Sequence, residues 1–588
     1  MAICLQIIIF CCIIDKFVMA IDTQQPERAT ENPDYSPRRG EVFFHPEELA
    51  MNLTETFSGH HMTPARRLAA KLIIEMPADI EEDDRIDYIM SALDNDETIT
   101  DEAHRDVVVG ILEDYKVLQG LFESYIEGID ETTLQGRALR LEDGQKIPDD
   151  LGKDNSQSPW SDNPPIPVPR IDDLIKTFST KGEGVQGVGL ETAMIVGAVT
   201  LAKLKTTPYH DAAVYKQAVF AKNFLIPICS IISLDNLESE LNDEVDIITG
   251  RNIGDGRDGS DLSNDIDSLL DEVDRVISLH FGAKDSVDPK RFDFARKNIN
   301  GIFSELLGAP DLKPAVETGS PHGTLFEVGT VKISNGTELE VRARGKGRGS
   351  YLRKLLRAIG YYEPHSQPLK DEGEFHPIDM YGMTVIAEDD KQLAESYVEA
   401  VVNALEGKSI SPYPSPSREK ECFVVKGSPE FQETIRKAVL ERIPNIDMGM
   451  FSFKDSGRDF TDAKITGFYE TGDGRVSFAP FEMQFSTPDA RLVARTGKKA
   501  AHFFFKLRKI YGDLVSMSDE AADAVIDIWQ RKQDYFTKPD DSIKEYHLTN
   551  QSRERVARFK EQATDRRRVL LGRVRDLAKR ALGGIINS

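Results

Sequence analysis

Fifteen consecutive positions, "RARGKGRGSYLRKLL" (342–356), carry six Lys and Arg and no acid, in a chain whose formal net charge is −26. Arg342 and Arg344 close a predicted strand, and Gly345, Gly347 and Gly349 allow the backbone to turn tightly. Ser350 then stands where it would cap the helix "SYLRKLLRAI". On that helix Leu352, Leu355, Leu356 and Ile359 share an apolar face, while Arg353 and Lys354 lie in the first turn. Cations beside a helix N-terminus suit phosphate groups. The same run also fits a solvated helix face or a nucleic-acid patch.

Two acids bear on that choice. Asp379 opens the apolar strand of "HPIDMYGMTVIAED". In "FEMQFST", Phe481, Met483 and Phe485 alternate inward, so Glu482 and Gln484 share the opposite face. Carboxylates on two strands beside a phosphate cradle suit the holding of Mg²⁺ and the alignment of an attacking hydroxyl. Strand-end acids facing water are the plainer reading.

These side chains need a sheet to carry them, and the chain supplies one late. Residues 1–20 begin with the apolar "MAICLQIIIFCCII", which is short for a membrane span and lacks a basic start. It reads as an export signal, a peripheral anchor or a stretch upstream of a later start. Residues 21–61 are polar and expected to be disordered. Residues 62–310 are helical by their three-and-four apolar spacing, with "DNSQSPWSDNPPIPVPR" (154–170) as a Pro-rich linker. From 320 to 510 an α+β domain is expected, a mixed β-sheet with helices at 350–361, 390–406 and 428–442. Its first two strands meet at an Asn335-Gly336 hairpin turn. Residues 511–588 are helical and end in a basic tail.

Composition narrows the rest. The length implies two or three domains, and the acidic balance excludes non-specific nucleic-acid binding by the whole surface. Cys229 and Cys422, the two cysteines outside the N-terminal run, make neither a disulfide framework nor a zinc site. That fits a reducing, cytoplasmic setting, with export or membrane association through residues 1–20 as the alternative. The sequons at Asn52 and Asn335 carry little weight. Gly182, Gly184 and Gly187 have dinucleotide-motif spacing but no strand before them. Asp255, Asp258 and Asp261 miss the calcium-loop spacing, and His60, His61, His104 and His210 are scattered. From Arg553 to Arg580 eleven Lys/Arg stand against four Asp/Glu. That tail reads as a solvated helix face or a contact with the acidic body, or else as a binder of RNA, a membrane or an acidic partner.

In order along the chain, Arg344-x-Lys346-x-x-x-Ser350-x-x-Arg353-Lys354-Leu355, "DMYGMTVI", "FEMQFST" and "GKKAAHFFFK" resemble the motifs of the RelA/SpoT family nucleotidyltransferase domain. These are the alarmone synthetases of the stringent response. The resemblance covers about 340–510 and implies transfer of pyrophosphate from ATP to a nucleotide 3′-hydroxyl. It implies that Arg344, Lys346, Ser350 and Lys354 bind ATP, and that Asp379 and Glu482 are the catalytic acids and hold Mg²⁺. It implies further that Arg418, Lys420, Lys454, Arg458, Gln484, His502 and Lys506 line the acceptor side.

The acceptor side departs from the family. Ser456, Arg458 and Asp462 stand where its Asn, Tyr and His are expected, Ser486 replaces an Arg, and residues 423–450 look inserted. Three functions therefore follow: a guanosine tetraphosphate synthetase, a toxin-like pyrophosphokinase using an adenosine nucleotide or a tRNA 3′ end, and a nucleotide-binding pseudoenzyme. The helical half is similar, more faintly, to the hydrolase region of long family members, over 213–245. No metal-binding H…HD…D set survives there: His104 and Asp106 are split by Arg105, and His210-Asp211 is isolated.

Overall fold

In the computed structural model, the Thr63 hydroxyl accepts from the Arg66 amide at 3.4 Å and Pro64 follows it, so α1 (Pro64–Glu75) starts at a capped, Pro-initiated turn. The structure describes most of residues 50–126, 171–358 and 379–586. The longer stretches outside that description are 1–49, 55–62, 127–170, 180–187, 255–260, 283–288, 315–325, 359–378, 414–420, 456–460, 509–514 and 537–549. The N-terminal apolar run, both sequon asparagines, the Pro-rich linker, the Gly182–Gly187 motif, Asp255, Asp258, His60, His61, His210 and Asp211 all lie outside the described residues.

The helical region continues through α2 (Glu82–Asn95), α3 (Glu102–Ile126), α4 (Ile171–Phe178), α5 (Leu190–Thr206) and α6 (Ala212–Phe220). A π-helical turn leads into α7 (Ile226–Ile231), followed by α8 (Asp235–Gly254), α9 (Asp261–Phe281) and α10 (Pro289–Leu307). Helix α5 is apolar on nearly every side and buried on nearly every side, which makes it the centre of this region. Its core also takes in Ala501, Phe503, Phe504 and Leu507, with Val525 and Ile528 of a C-terminal helix and Val556 and Phe559 of the last one. The chain therefore returns to its first core at its end.

Among the described residues one nine-stranded sheet follows: β1 (Lys313–Pro314), β2 (Phe326–Lys332), β3 (Glu338–Gly345), β4 (Tyr381–Ile386), β5 (Ile410–Pro412), β6 (Phe423–Gly427), β7 (Phe451–Asp455), β8 (Asp462–Glu470) and β9 (Phe478–Ser486). The order is β1-β2-β3-β4-β9-β8-β6-β7, with β5 on β8. The β4–β9 and β6–β7 pairs are parallel and the others antiparallel, so the sheet is mixed and the class α+β, as expected. The hairpin forms with Lys332 opposite Glu338, its turn residues 334–336 lying outside the described set.

Interleaved helices are α11 (Arg348–Ala358), α12 (Asp390–Glu406), α13 (Pro429–Arg442) and α14 (Pro488–Thr496), and the C-terminal pair is α15 (Asp519–Phe536) and α16 (Asn550–Ile586). Val341, Met383, Val385, Ile465, Phe481, Met483 and Phe485 form the sheet's inner face, packed with residues of α9, α10, α12 and α13. Tyr381 locks that packing: its hydroxyl donates to the His280 carbonyl and accepts from Asn298, both at 2.9 Å. Helix α11 starts at Arg348, two residues before the predicted cap. Ser350 is thus inside its first turn, and the capping carboxylate comes instead from Asp243 of α8, whose Oδ1 accepts from the Ser350 amide at 3.1 Å. Among the described residues, no helix is long and apolar enough to cross a membrane.

Candidate active site

Because Phe481, Met483 and Phe485 point inward, every second residue across the sheet points outward, and the register lines these up. Arg344 lies opposite Gly382, Gly382 opposite Glu482, and Glu482 opposite Thr466. One step along, Thr384 faces Gln484 and Gln484 faces Lys464. A Cβ on Gly382 would stand 3.1 Å from Arg344 Nε, so the glycine leaves that guanidinium its place over the sheet.

Asp379 sits in the turn that enters β4. The backbone of Lys346 is held beside it, its amide donating to the Met380 carbonyl at 2.8 Å. Lys346 Nζ then reaches Asp379 Oδ2 at 2.6 Å, and Lys354 Nζ, from the second turn of α11, reaches Oδ1 at 2.5 Å. One ammonium thus serves each carboxylate oxygen. Burial pushes the Asp379 carboxyl up, but the two lysines overcome it and hold it well below the usual carboxylate range. Burial also pulls the Lys346 amine down to about 7, with Asp379 pulling the other way and Lys354 and Arg344 adding to the fall. Its side chain is 10% exposed.

Glu482 is the second carboxylate, bonded to Lys464 Nζ at 3.1 Å. Burial would raise its pKa, and the charge of Asp379 would too, yet Lys464 brings the net shift down. The two acids therefore feel each other's charge and are each kept ionised by lysine. Farther along the same face, Asp462 is 1% exposed. Its Oδ1 accepts from Gln484 Nε2 at 2.7 Å and its Oδ2 from Lys426 Nζ at 3.4 Å. Burial raises the Asp462 carboxyl in spite of Lys464 and Lys426. Lys454, the penultimate residue of β7, is exposed and pairs in register with Lys426.

Of the residues singled out from the sequence, Arg344, Lys346, Lys354, Asp379, Glu482 and Gln484 are thus brought to one stretch of the outer face. Ser350 lies on the same helix as Lys354, and Lys454 lies at the far strand. Arg418, Lys420, Arg458, His502 and Lys506 fall outside the described residues. Sequence reasoning passed over Lys464 and Lys426. Their signal was the alternation Ala463-Lys464-Ile465 and Val425-Lys426-Gly427, a cation between two buried neighbours on a strand.

Arg342, on β3, pairs with Glu340 of the same strand, while Arg348 and Arg353 face the other way, toward the helical region. Arg348 makes two bonds to Asp274 of α9, at 2.5 and 2.9 Å, and Arg353 bonds Asp246 of α8 at 3.2 Å. A Cβ on Gly347 would overlap the Asp243 carboxylate, and one on Gly349 the Asp243 backbone carbonyl. These two glycines therefore serve a close approach to α8 instead of the tight turn expected of them. The basic tail meets acids too. Arg555 pairs with buried Asp114, Lys560 with Glu102 and Asp106, and Arg566 with Asp83 at 2.7 Å and Asp87 at 2.8 Å. His104 is bonded to Asp101 at 2.5 Å, so His104 and Asp106 have separate partners.

Among the described residues no cluster of three or more His, Cys, Asp and Glu side chains is arranged to hold a metal ion. Mg²⁺ asks for less than that when phosphate is present, since one or two carboxylates suffice and the nucleotide oxygens complete the shell. Asp379 and Glu482, both ionised, fit that requirement. Compared with known protein families, with curated proteins and with solved structures, the chain matches none.

Proposed function

We propose that the outer face of the sheet is the active site of a nucleotide pyrophosphokinase, moving pyrophosphate from ATP to the 3′-hydroxyl of a nucleotide. One observation carries the reading: two carboxylates held ionised, Asp379 at the entrance of β4 and Glu482 on the parallel neighbour β9, are matched by two lysines and by one, cations that a polyphosphate would attract. A structural ion pair needs one lysine per acid. Asp379 has two, and Arg344 stands close enough to act on Lys346, so positive charge is left for an incoming anion, whose own charge would draw a proton back onto Lys346.

Arg344, Lys346 and Lys354 bind the ATP phosphates, with Arg344 reaching over Gly382. Asp379 and Glu482 would hold Mg²⁺, which would supply neutralisation of charge on the transferring phosphates. The acceptor 3′-oxygen bonds the β-phosphorus as the bond from that phosphorus to the α–β bridging oxygen breaks. AMP leaves with the electron pair. Glu482, kept ionised by Lys464, accepts a hydrogen bond from the attacking hydroxyl and passes its proton to water. Because its pKa is lowered and not poised near neutrality, orienting the hydroxyl is its larger contribution.

The acceptor side favours a ligand other than the guanosine of the alarmone synthetases. Asp462, where that family carries His, is buried beneath the face and spends its oxygens on Gln484 and Lys426. An adenosine nucleotide or a tRNA 3′ end is the acceptor class this favours, and a guanosine nucleotide is the second reading. The test is incubation of the full chain with Mg²⁺, γ-labelled ATP and GDP, GTP, AMP, ADP or tRNA in parallel, with Asp379→Asn and Glu482→Gln as controls. Label passing to one acceptor and lost in both variants supports the proposal and names the acceptor. ATP binding without transfer to any of them leaves a nucleotide-binding protein and sinks the enzymatic reading.

A further inference from the structure

We infer that Asp243, in the helical region, is a positioning residue of the ATP site, so that the site is built jointly by that region and the sheet. The inference rests on the reading above and adds a residue outside the resemblance on which that reading drew.

The two lysines on Asp379 belong to one segment, Lys346 just before α11 and Lys354 in its second turn. Asp243 is lodged between them. Its carboxylate accepts from the Ser350 amide at the helix start, and its backbone and side chain fill the space that Gly347 and Gly349 leave open. The first turn of a helix has amides with no partner of their own, and a carboxylate there is favoured by the helix dipole. Asp246 on Arg353 and Asp274 on Arg348 extend the grip along the same segment.

The division of charge is specific. Asp243, Asp246 and Asp274 engage the helix amide, Arg353 and Arg348, while Lys346 and Lys354 turn to Asp379. Without Asp243 the first turn loses its cap and the two glycines become a loose stretch between the lysines. Their spacing about Asp379 then loosens, and with it the fit to phosphate. The described acceptor-side residues, Lys454 on β7 and Gln484 on β9, are not touched.

The experiment uses the full chain and measures MgATP affinity by calorimetry, with KM for ATP and for the acceptor read separately in the transfer assay. Asp243→Ala is expected to weaken ATP binding about tenfold or more, the effect of losing a charge-assisted hydrogen bond, with the acceptor KM unchanged. Asp243→Asn, which keeps an accepting oxygen, is expected to restore most of it. If the alanine variant fails to fold, Arg353→Met, altering a partly exposed tether, is expected to raise the ATP KM about threefold with the acceptor KM unchanged. Unchanged or tighter ATP binding in the folded alanine variant overturns the inference, tighter binding in both Asp243 variants marking an inhibitory contact. For Arg353→Met, an unchanged ATP KM does the same. A wild-type chain that binds no ATP overturns the reading beneath it, and the inference falls too.

Discussion

Lys346 is the side chain whose proton is most finely placed. Burial brings its folded pKa to about 7, against about 10.4 in an unfolded chain. Between those values the unfolded chain keeps a proton that the folded one has released, so this lysine makes stability rise with pH through that window. Below about 7 its cost is fully present. In nucleotide-free protein, the wild-type urea midpoint is therefore expected to gain on that of Lys346→Met between pH 7 and pH 9.5, and a constant difference would show an ordinary amine. Lys464 makes the opposite kind of prediction. Removing it leaves burial to push Glu482 up, so Lys464→Met should lose more of its transfer rate at pH 6 than at pH 8. A pH–rate profile of unchanged shape would mean that Glu482 does not titrate in the reaction.

Much at this scale was legible in advance. The alternation Phe481, Met483, Phe485 fixed which face Glu482 and Gln484 occupy, because strand geometry leaves no choice. The turn before β4 put Asp379 at a strand entrance. What no local pattern showed was which basic residues serve the site. Lys346 and Lys354 face Asp379, while Arg353 faces α8 and Arg348 faces α9, a division set by helices 107 and 74 residues earlier. Lys464 was equally hidden, since one lysine on a strand reads as a solvated residue until its cross-strand neighbour is known.

At the scale of elements, α11 is the piece whose surroundings matter most. Its expected start was two residues late because a cap was sought within the sequence, whereas Asp243 supplies it through space. The two glycines before Ser350 have the same origin. Gly349→Ala would put a Cβ into the α8 backbone, and overpacking of that kind costs about 1–3 kcal/mol. Gly572, in α16, has nothing within 4 Å of its added Cβ, so Gly572→Ala should gain up to about 1 kcal/mol through helix propensity. Urea unfolding of the two variants, read side by side, checks both signs. A neutral Gly349→Ala would show that α8 does not press on this helix. Elsewhere local rules sufficed: Ser428 and Asp389 cap α13 and α12 by accepting from Phe431 and Gln392 amides.

At the scale of the molecule, the acidic total and the basic tail answer each other. The tail's Arg555, Lys560 and Arg566 are spread along one side of α16 and meet acids of α2 and α3. Arg555 and Asp114 are both buried, and breaking such a pair from one side costs about 3–5 kcal/mol. Arg555→Met should therefore lower stability far more than Arg568→Met, whose partner Asp565 is exposed on the same helix. Equal midpoints would mean that the tail does not hold the helical region. The sequence showed the charge of the tail but not its destination, because nothing in residues 553–580 specifies which acidic surface lies opposite.

That closure has a consequence for how the protein is made. The first core is seeded by α1, α3 and α5 but finished by Phe503, Val525, Val556 and Phe559. About three hundred residues separate Ile248 from Phe559, and at ribosomal speeds of roughly 5–20 residues per second that is about 15–60 s of synthesis. For that interval the earliest helices leave the ribosome with an open apolar seam, while the later sheet can assemble. Nascent chains stalled near residue 490 should then recruit chaperones through their amino-terminal portion, and release that hold once the final helix has emerged.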